Sequence, residues 1–205
     1  MTYYSIDGVR PIVHPDAFVH PQASLIGDVI VGAGCYIGPF ASLRGDFGRI
    51  VIGAGSNVQD ACVLHSFPEQ SCELEDNCHL GHASILHGCY LETGAFVGIQ
   101  ALVMDGARLG SACMVAAQSF VKAGQQVAPR TLVAGTPAKP VRVLSEQELA
   151  WFGDGPSQYQ DLARRSLASL TRCEPLIEVE PGRPALPVSG QASKPLHEMR
   201  EQNKD

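Results

Sequence analysis

The stretch LETGAFVGIQALVMDGARLGSACMVAAQSFVKAGQQVAPRTLV, Leu91 to Val133, carries an aliphatic residue at every sixth position: Leu91, Val97, Val103, Leu109, Val115, Val121, Val127 and Val133. A period of six matches neither the roughly 3.6 of a helix nor the 2 of an isolated strand. It suits short strands separated by regular corners, each strand supplying one inward aliphatic plug. The same spacing runs upstream through Val13, Val19, Leu25, Val31, Ile37 and Leu43, resumes at Ile52, Val58 and Leu64, and again at Leu74, Leu80 and Leu86.

A second slot fixes the register. Four residues after a plug the side chain is small: Ala17, Ala23, Cys35, Ala41, Ser56, Cys62, Cys78, Ser84, Ala95, Ala101, Ala107, Cys113 and Ser119, with Cys89 in the same slot counted from Ile85. A tight corner inside a narrow coil has room for little else. Plug and small residue together predict an all-β solenoid, a hexapeptide parallel β-helix, over residues 1–142. The slot also explains five of the seven cysteines as packing; with an odd number and no CxxC pair, neither a disulfide framework nor a cysteine zinc site is expected. Cys72, in an expected loop, and Cys173 are left as free-thiol candidates.

The coil is expected to stop near Leu132 to Arg142, where Gly135, Pro137 and Pro140 interrupt it. Ser145 and Glu148 form a capping-box pair ahead of Leu149, Trp151 and Phe152. Gly153, Gly155 and Pro156 predict a break, and Tyr159, Leu162, Ala163, Leu167 and Leu170 then share one face of a second helical stretch. The helical segment 143–173 should pack back on the coil. Residues 174–205, with Pro175, Pro181, Pro184, Pro187 and Pro195, read as an extended or disordered tail.

With 205 residues, 45% of them hydrophobic, and a net charge of −6, the chain can bury a core but offers nucleic acid no electrostatic attraction. Met1 to Arg10 has no apolar run of signal-peptide length, and no run reaches about eighteen apolar residues, so no membrane span and a cytoplasmic location are expected.

Three histidines carry the chemistry. Three hexads make one triangular coil, so residues one coil apart stack at about 4.8 Å. His65 and His87 each follow their plug, Leu64 and Leu86, by one, and so stack on one face with Arg44 one rung before. The longer steps, around Gly45 to Arg49 and Ser66 to Glu73, bulge outward. His82 follows Leu80 by two and belongs to another face, about 16 Å of extended chain from His87. Nitrogens sharing one zinc ion lie within about 3.5 Å. One chain cannot easily close that triangle; His82 of one copy meeting His65 and His87 of another can. The count predicts a homotrimer with interfacial metals. Zn2+ is the expected ion, with Fe2+ or Co2+ equally suited to imidazole. His14, His20, His79 and His197 show no such geometry and read as structural.

The motifs LRGD (Leu43–Asp46), NVQD (Asn57–Asp60), His65 and GHASILHG (Gly81–Gly88) resemble the γ-class carbonic anhydrases of the left-handed β-helix fold, over roughly residues 10 to 170. LRGDFGRIV, SFPEQ, LSEQELAW and EPGR resemble, more narrowly, the branches of that family found in phenylacetic acid degradation and in carnitine operons. The resemblance implies that His65, His82 and His87 bind the metal across a trimer interface, with Arg44 and Asp46 as an interface ion pair and Asp60 close by. It implies that Gln59 hydrogen-bonds the metal-bound water, that Asn57 positions water or substrate, and that Tyr159 reaches the site. The active carbonic anhydrases place a glutamate after the residue matching Asp46; here Phe47 stands there, with Glu69 and Glu73 as the nearest substitutes for a second acidic group. Efficient proton export is therefore not expected.

Three imidazoles leave one coordination position open and bring the pKa of bound water to about 7. The expected activity is metal-dependent hydrolysis of acyl-CoA thioesters linked to phenylacetate catabolism, by a metal-bound hydroxide, with the metal or Gln59 stabilising the oxyanion. The alternatives are reversible CO2 hydration at the same centre, metal-independent hexapeptide acyl transfer, and a scaffold in which metal only staples the trimer.

Overall fold

The computed structural model describes residues 2–186. The chain winds a left-handed parallel β-helix of about seven turns. The first face stacks Thr2–Tyr4, the opening halves of Ser24–Val31 and Ser42–Ile52, then Val63–His65, Ile85–His87, Leu102–Val103 and Phe120–Val121. The second stacks Ile12–Val13, the closing halves of the same two long strands, then Ser71–Leu74, Tyr90–Leu91, Arg108–Leu109 and Gln126–Val127. The third runs from Phe18–Val19 through Tyr36–Ile37, Asn57–Val58, His79–Leu80, Phe96–Val97 and Met114–Val115 to Thr131–Ala134, where antiparallel Lys139–Val143 ends the coil.

The plugs stack in register. Leu25 pairs with Leu43, Leu43 with Leu64, Leu64 with Leu86, Leu86 with Val103 and Val103 with Val121, all fully buried. Truncating one such leucine to alanine costs about 2–5 kcal/mol. The small residues of the second slot are buried too. The residue just before most of them takes a left-handed backbone, such as Ala61, Ala83 and Gln100 at the corner between the third and first faces, each at φ 57°, and Gly88 and Gly106 at the next corner.

Two expectations are corrected at the cysteines and the helix. Cys72 is not in a loop: Ser71–Leu74 is a strand, Cys72 pairs with Ile50 and points inward, and its Sγ lies 3.9 Å from that of Cys89. The insertion before it closes by Gln70, so alternation about Leu74 turns Cys72 to the core. The helix is not broken either. It runs unbroken through Pro156 from Glu146 to Ser169, capped by Ser145 and Glu148 as a reciprocal box. An interior proline loses one backbone hydrogen bond, but Pro156 and Phe152 are buried where the helix packs, Phe152 lying 5.1 Å from Phe96. Tertiary burial outweighs local propensity here. Ala163 is buried, whereas Leu167 and Leu170 stay half-exposed, so the expected apolar face is covered only in part.

Residues 174–186 form no helix or strand, and the expected tail lies outside the described residues from 187 on. Among the described residues no helix is long and apolar enough to cross a membrane.

Candidate metal centre

Val63–His65 and Ile85–His87 are parallel neighbours in the register His65 to His87. Their ring centroids lie 5.1 Å apart, and Nδ1 of His65 faces Nε2 of His87 at 3.1 Å. The far nitrogen of each ring meets a carboxylate. Nε2 of His65 lies 3.1 Å from Asp46, and Nδ1 of His87 lies 2.5 Å from Asp105. Arg44 Nη1 clamps both oxygens of Asp46, at 3.1 and 2.9 Å. Burial pushes the Asp46 carboxyl up, but the hydrogen bonds from Arg44 and His65 prevail and hold it below the usual range. Burial is the main cause that lowers the His65 imidazole, with Arg44 and His87 adding to it, so the ring is held neutral.

Asp105 reaches His87 because residue 88 is glycine. A Cβ at Gly88, which has φ 54°, would sit 2.5 Å from Asp105 Oδ1. With each far N–H donated to an aspartate, the two nitrogens that face each other both carry lone pairs. Two lone pairs at 3.1 Å repel unless a cation or proton lies between them. The same pattern recurs at the corner, where His82 Nδ1 lies 2.6 Å from Asp60 Oδ2, leaving Nε2 as the free donor atom. Metal-binding histidines characteristically give their second nitrogen to a carboxylate in this way. The donor set of three imidazoles therefore fits a divalent cation.

The chain does not bring all three together. His82 and Asp60 stand at the corner between the third and first faces, their side chains 47% and 44% exposed, against 11% for His65. Among the described residues no group of three or more His, Cys, Asp or Glu is placed to hold a metal ion.

The other candidates gather on the third face. Asn57 and Gln59 are buried, with Gln59 Nε2 at 3.1 Å from Asn57 Oδ1 and 2.8 Å from His79 Nε2, while Asn57 Nδ2 lies 3.2 Å from His79 Nδ1. Tyr159 comes from the helix and packs between Tyr36 and His79, with ring centroids at 5.3 and 5.6 Å. Burial pushes its phenol up to about 12. Phe47 and Phe67, both exposed, flank the histidine pair at 5.4 Å from His65 and 5.0 Å from His87. Among the described residues, the hydrogen-bond partners of the two rings do not include Glu69 or Glu73.

Two residues escaped the sequence reading. Asp105 follows His87 by eighteen residues, but the rung here is seventeen, Leu86 pairing with Val103, so Asp105 stands one residue beyond the rung position of His87 and a count of rungs misses it. His79, read as merely structural, is the hub between Asn57 and Gln59; the 22-residue rung that joins it to Asn57 hides that pairing from a strict hexad count.

Comparison with known proteins agrees with this fold. Residues 10–45 match the family model described as bacterial transferase hexapeptide (six repeats). The carnitine operon protein CaiE of Salmonella agona is 52% identical over 91% of this chain and 94% of its own length, and that of Escherichia coli is 50% identical over 91% and 95%. Among solved structures, a putative acetyltransferase of Bacillus cereus superposes with a TM-score of 0.80 at 32% identity, covering 82% of this chain and 97% of that one. A hexapeptide transferase family protein of Anaplasma phagocytophilum gives 0.77 at 36% identity, covering 80% and 96%. From its stacked plugs to its relatives, the chain belongs to the hexapeptide-repeat family, in the γ-class carbonic anhydrase-like group of the carnitine operon proteins.

Proposed function

We propose that the chain works as a cyclic homotrimer in which His65 and His87 of one copy and His82 of the next hold a divalent cation, and that the resulting site hydrolyses acyl-CoA thioesters. The observation that carries the reading is the facing pair of imidazole nitrogens, each ring held from behind by an aspartate, together with a third, identically held imidazole left exposed at a corner. A cation bound there polarises a carbonyl and brings the pKa of water to about 7.

The chain's own residues supply the rest. Asp46, Asp60 and Asp105 fix the tautomers, Arg44 holds Asp46, and Gln59 and Asn57 form a buried polar support on the third face. Phe47 and Phe67 give the histidine pair an apolar wall where a carboxylate would be needed to export protons. That wall favours an acyl group over CO2. In the reaction a C–O bond forms between water and the thioester carbon, the C–S bond breaks, and coenzyme A leaves as a thiolate that takes up a proton.

The branch resemblances favour two acyl sources, ring-derived compounds of phenylacetate breakdown and carnitine-derived compounds. A second reading, acyl transfer to an amine or hydroxyl, is favoured by the transferase names of two solved relatives above 30% identity. Elemental analysis of the purified protein with a thioester panel separates them. Thioester hydrolysis that disappears on chelation and returns with Zn2+, Fe2+ or Co2+ supports the proposal; metal-bearing trimer that leaves every thioester intact contradicts it.

A further inference from the structure

Resting on that reading, we infer that the cavity under the helix between Trp151 and Tyr159 is the acyl subsite, and that it takes a single uncharged aromatic ring of the thioester's acyl group. The cavity measures about 160 Å³ and is walled by the rings of His79, Phe96, Trp151, Phe152 and Tyr159. An apolar cavity of about 150 Å³ holds one benzene molecule. Trp151, Gly155 and Tyr159 are only partly buried, so the cavity opens at the surface.

Its position follows from the helical period. Trp151, Gly155 and Gln158 recur at steps of four and three and share one flank of the helix, while Gln160, Arg164 and Leu167 share the opposite flank. That opposite flank lies over the corner between the second and third faces, where Gln160 Nε2 donates to the Gly55 carbonyl at 3.1 Å and to Asn77 Oδ1 at 3.0 Å. The cavity is on the first flank and so faces the other corner of the third face, which carries Gln59, Asp60 and His82. Its floor is His79, three residues before His82, with Nε2 at 2.8 Å from Gln59 Nε2. After burial and Tyr36, the charge of Asp60 also pushes the Tyr159 phenol up, which sets that wall beside the carboxylate backing His82.

Shape and charge select the ring. His79 and Phe96 stack at 4.2 Å and 8°, Phe152 is tilted 44° to Phe96, and Tyr159 stands at 73° to His79. Both faces and edges therefore line the space, the two presentations against which a bound aromatic ring packs. Among the described residues that line it there is no Asp, Glu, Lys or Arg. Burial pushes the His79 imidazole down to about 3 and the Tyr159 phenol up to about 12, so the site penalises charge of either sign. An acyl group carrying a quaternary ammonium or a second carboxylate is disfavoured against a neutral ring. Gly155 keeps the space open. Its backbone is helical and does not require glycine, which weakens a helix interior, yet a Cβ there would stand 3.2 Å from Nδ1 and 3.5 Å from Cε1 of His79.

Trp151 is the single tryptophan of the chain, so its fluorescence reports on the cavity. Titrating the purified full-length protein with phenylacetamide, a neutral ring without coenzyme A, should change that emission saturably. Gly155→Ala, which favours the helix but places a methyl in the space of the ring, should weaken the binding about 10-fold or more. No saturable response, or equal affinity in Gly155→Ala, overturns the subsite whether or not thioesters are hydrolysed. In kinetics, at least one of benzoyl-, phenylacetyl- and 3-phenylpropanoyl-CoA should exceed the straight-chain acyl-CoA of equal carbon number in kcat/KM, and Gly155→Ala should lower that ratio about 10- to 200-fold. Trp151→Ala, which enlarges the cavity, should shift preference toward a fused two-ring acyl group. Straight chains preferred throughout, or a preference that neither variant moves, overturns the inference. Phenylacetamide binding that Gly155→Ala weakens, in a protein that turns over no thioester, upholds the ring site and overturns the hydrolytic reading instead.

Discussion

The His65–His87 column and the His82 corner use the same chemistry in opposite surroundings. In the column two imidazoles face each other, backed by Asp46 and Asp105, with His65 nearly buried. At the corner one imidazole is backed by Asp60 and about half exposed. A surface histidine needs no buried-type carboxylate support, and such support costs side-chain freedom. The corner therefore has the chemistry of half a site whose other half is a column, the two halves that the proposed threefold closure would join.

The largest effect should come from removing imidazoles. His65→Ala, His87→Ala and His82→Ala should each drop bound metal from about one ion per chain to near none, measured by elemental analysis of the purified protein. Loss confined to the two column variants would break the link between column and corner.

The carboxylates sharpen the contrast. Asp105→Asn and Asp60→Asn should each weaken metal binding by about 10- to 100-fold in competition with a chelator, the column variant nearer the upper figure because water screens it less. A larger effect at Asp60 would reverse the ranking of the two regions.

Acid tests the buried side of the corner. The folded His79 binds a proton only near pH 3, whereas the unfolded residue does so below about 6.5. Between those values the unfolded chain holds more protons, so this contribution to stability is complete above pH 6.5 and is lost as pH falls toward 3. Urea midpoints measured against pH should fall less steeply for His79→Phe than for the unmodified chain. Parallel curves would remove His79 from the balance.

The smallest effect is expected at the apolar wall. Phe47→Ala or Phe67→Ala should raise KM for an acyl-CoA a few-fold with bound metal unchanged, because each removes an exposed ring beside the column. Phe47→Glu should cost more in KM and gain any buffer-dependent CO2 hydration the centre can support.

Much of this was readable from spacing alone, and the failures have physical causes. The plug column from Leu25 to Val121 and the stacking of His65 on His87 follow from counting sixes, because a solenoid repeats the same environment each turn. Counting does not reveal tertiary burial. Pro156 stays inside a helix because Phe152 and the third face cover that side, and Cys72 turns inward because its strand starts sooner than the insertion implied. Nor does counting reveal which polar neighbours close a ring. His79 shows no motif, and its role emerges only once Asn57, Gln59 and the stacked Phe96 surround it.

Subunit mixing tests the shared site most directly. His65→Ala and His82→Ala chains, each inactive alone, are unfolded together, refolded at equal amounts and assayed for thioester hydrolysis and bound metal. An intact column from one chain then meets an intact corner from the other at about a quarter of the interfaces, and activity and metal should both return to about a quarter of the unmodified level. Mixed trimers that stay as inactive and metal-free as their parents would contradict a centre built from two copies.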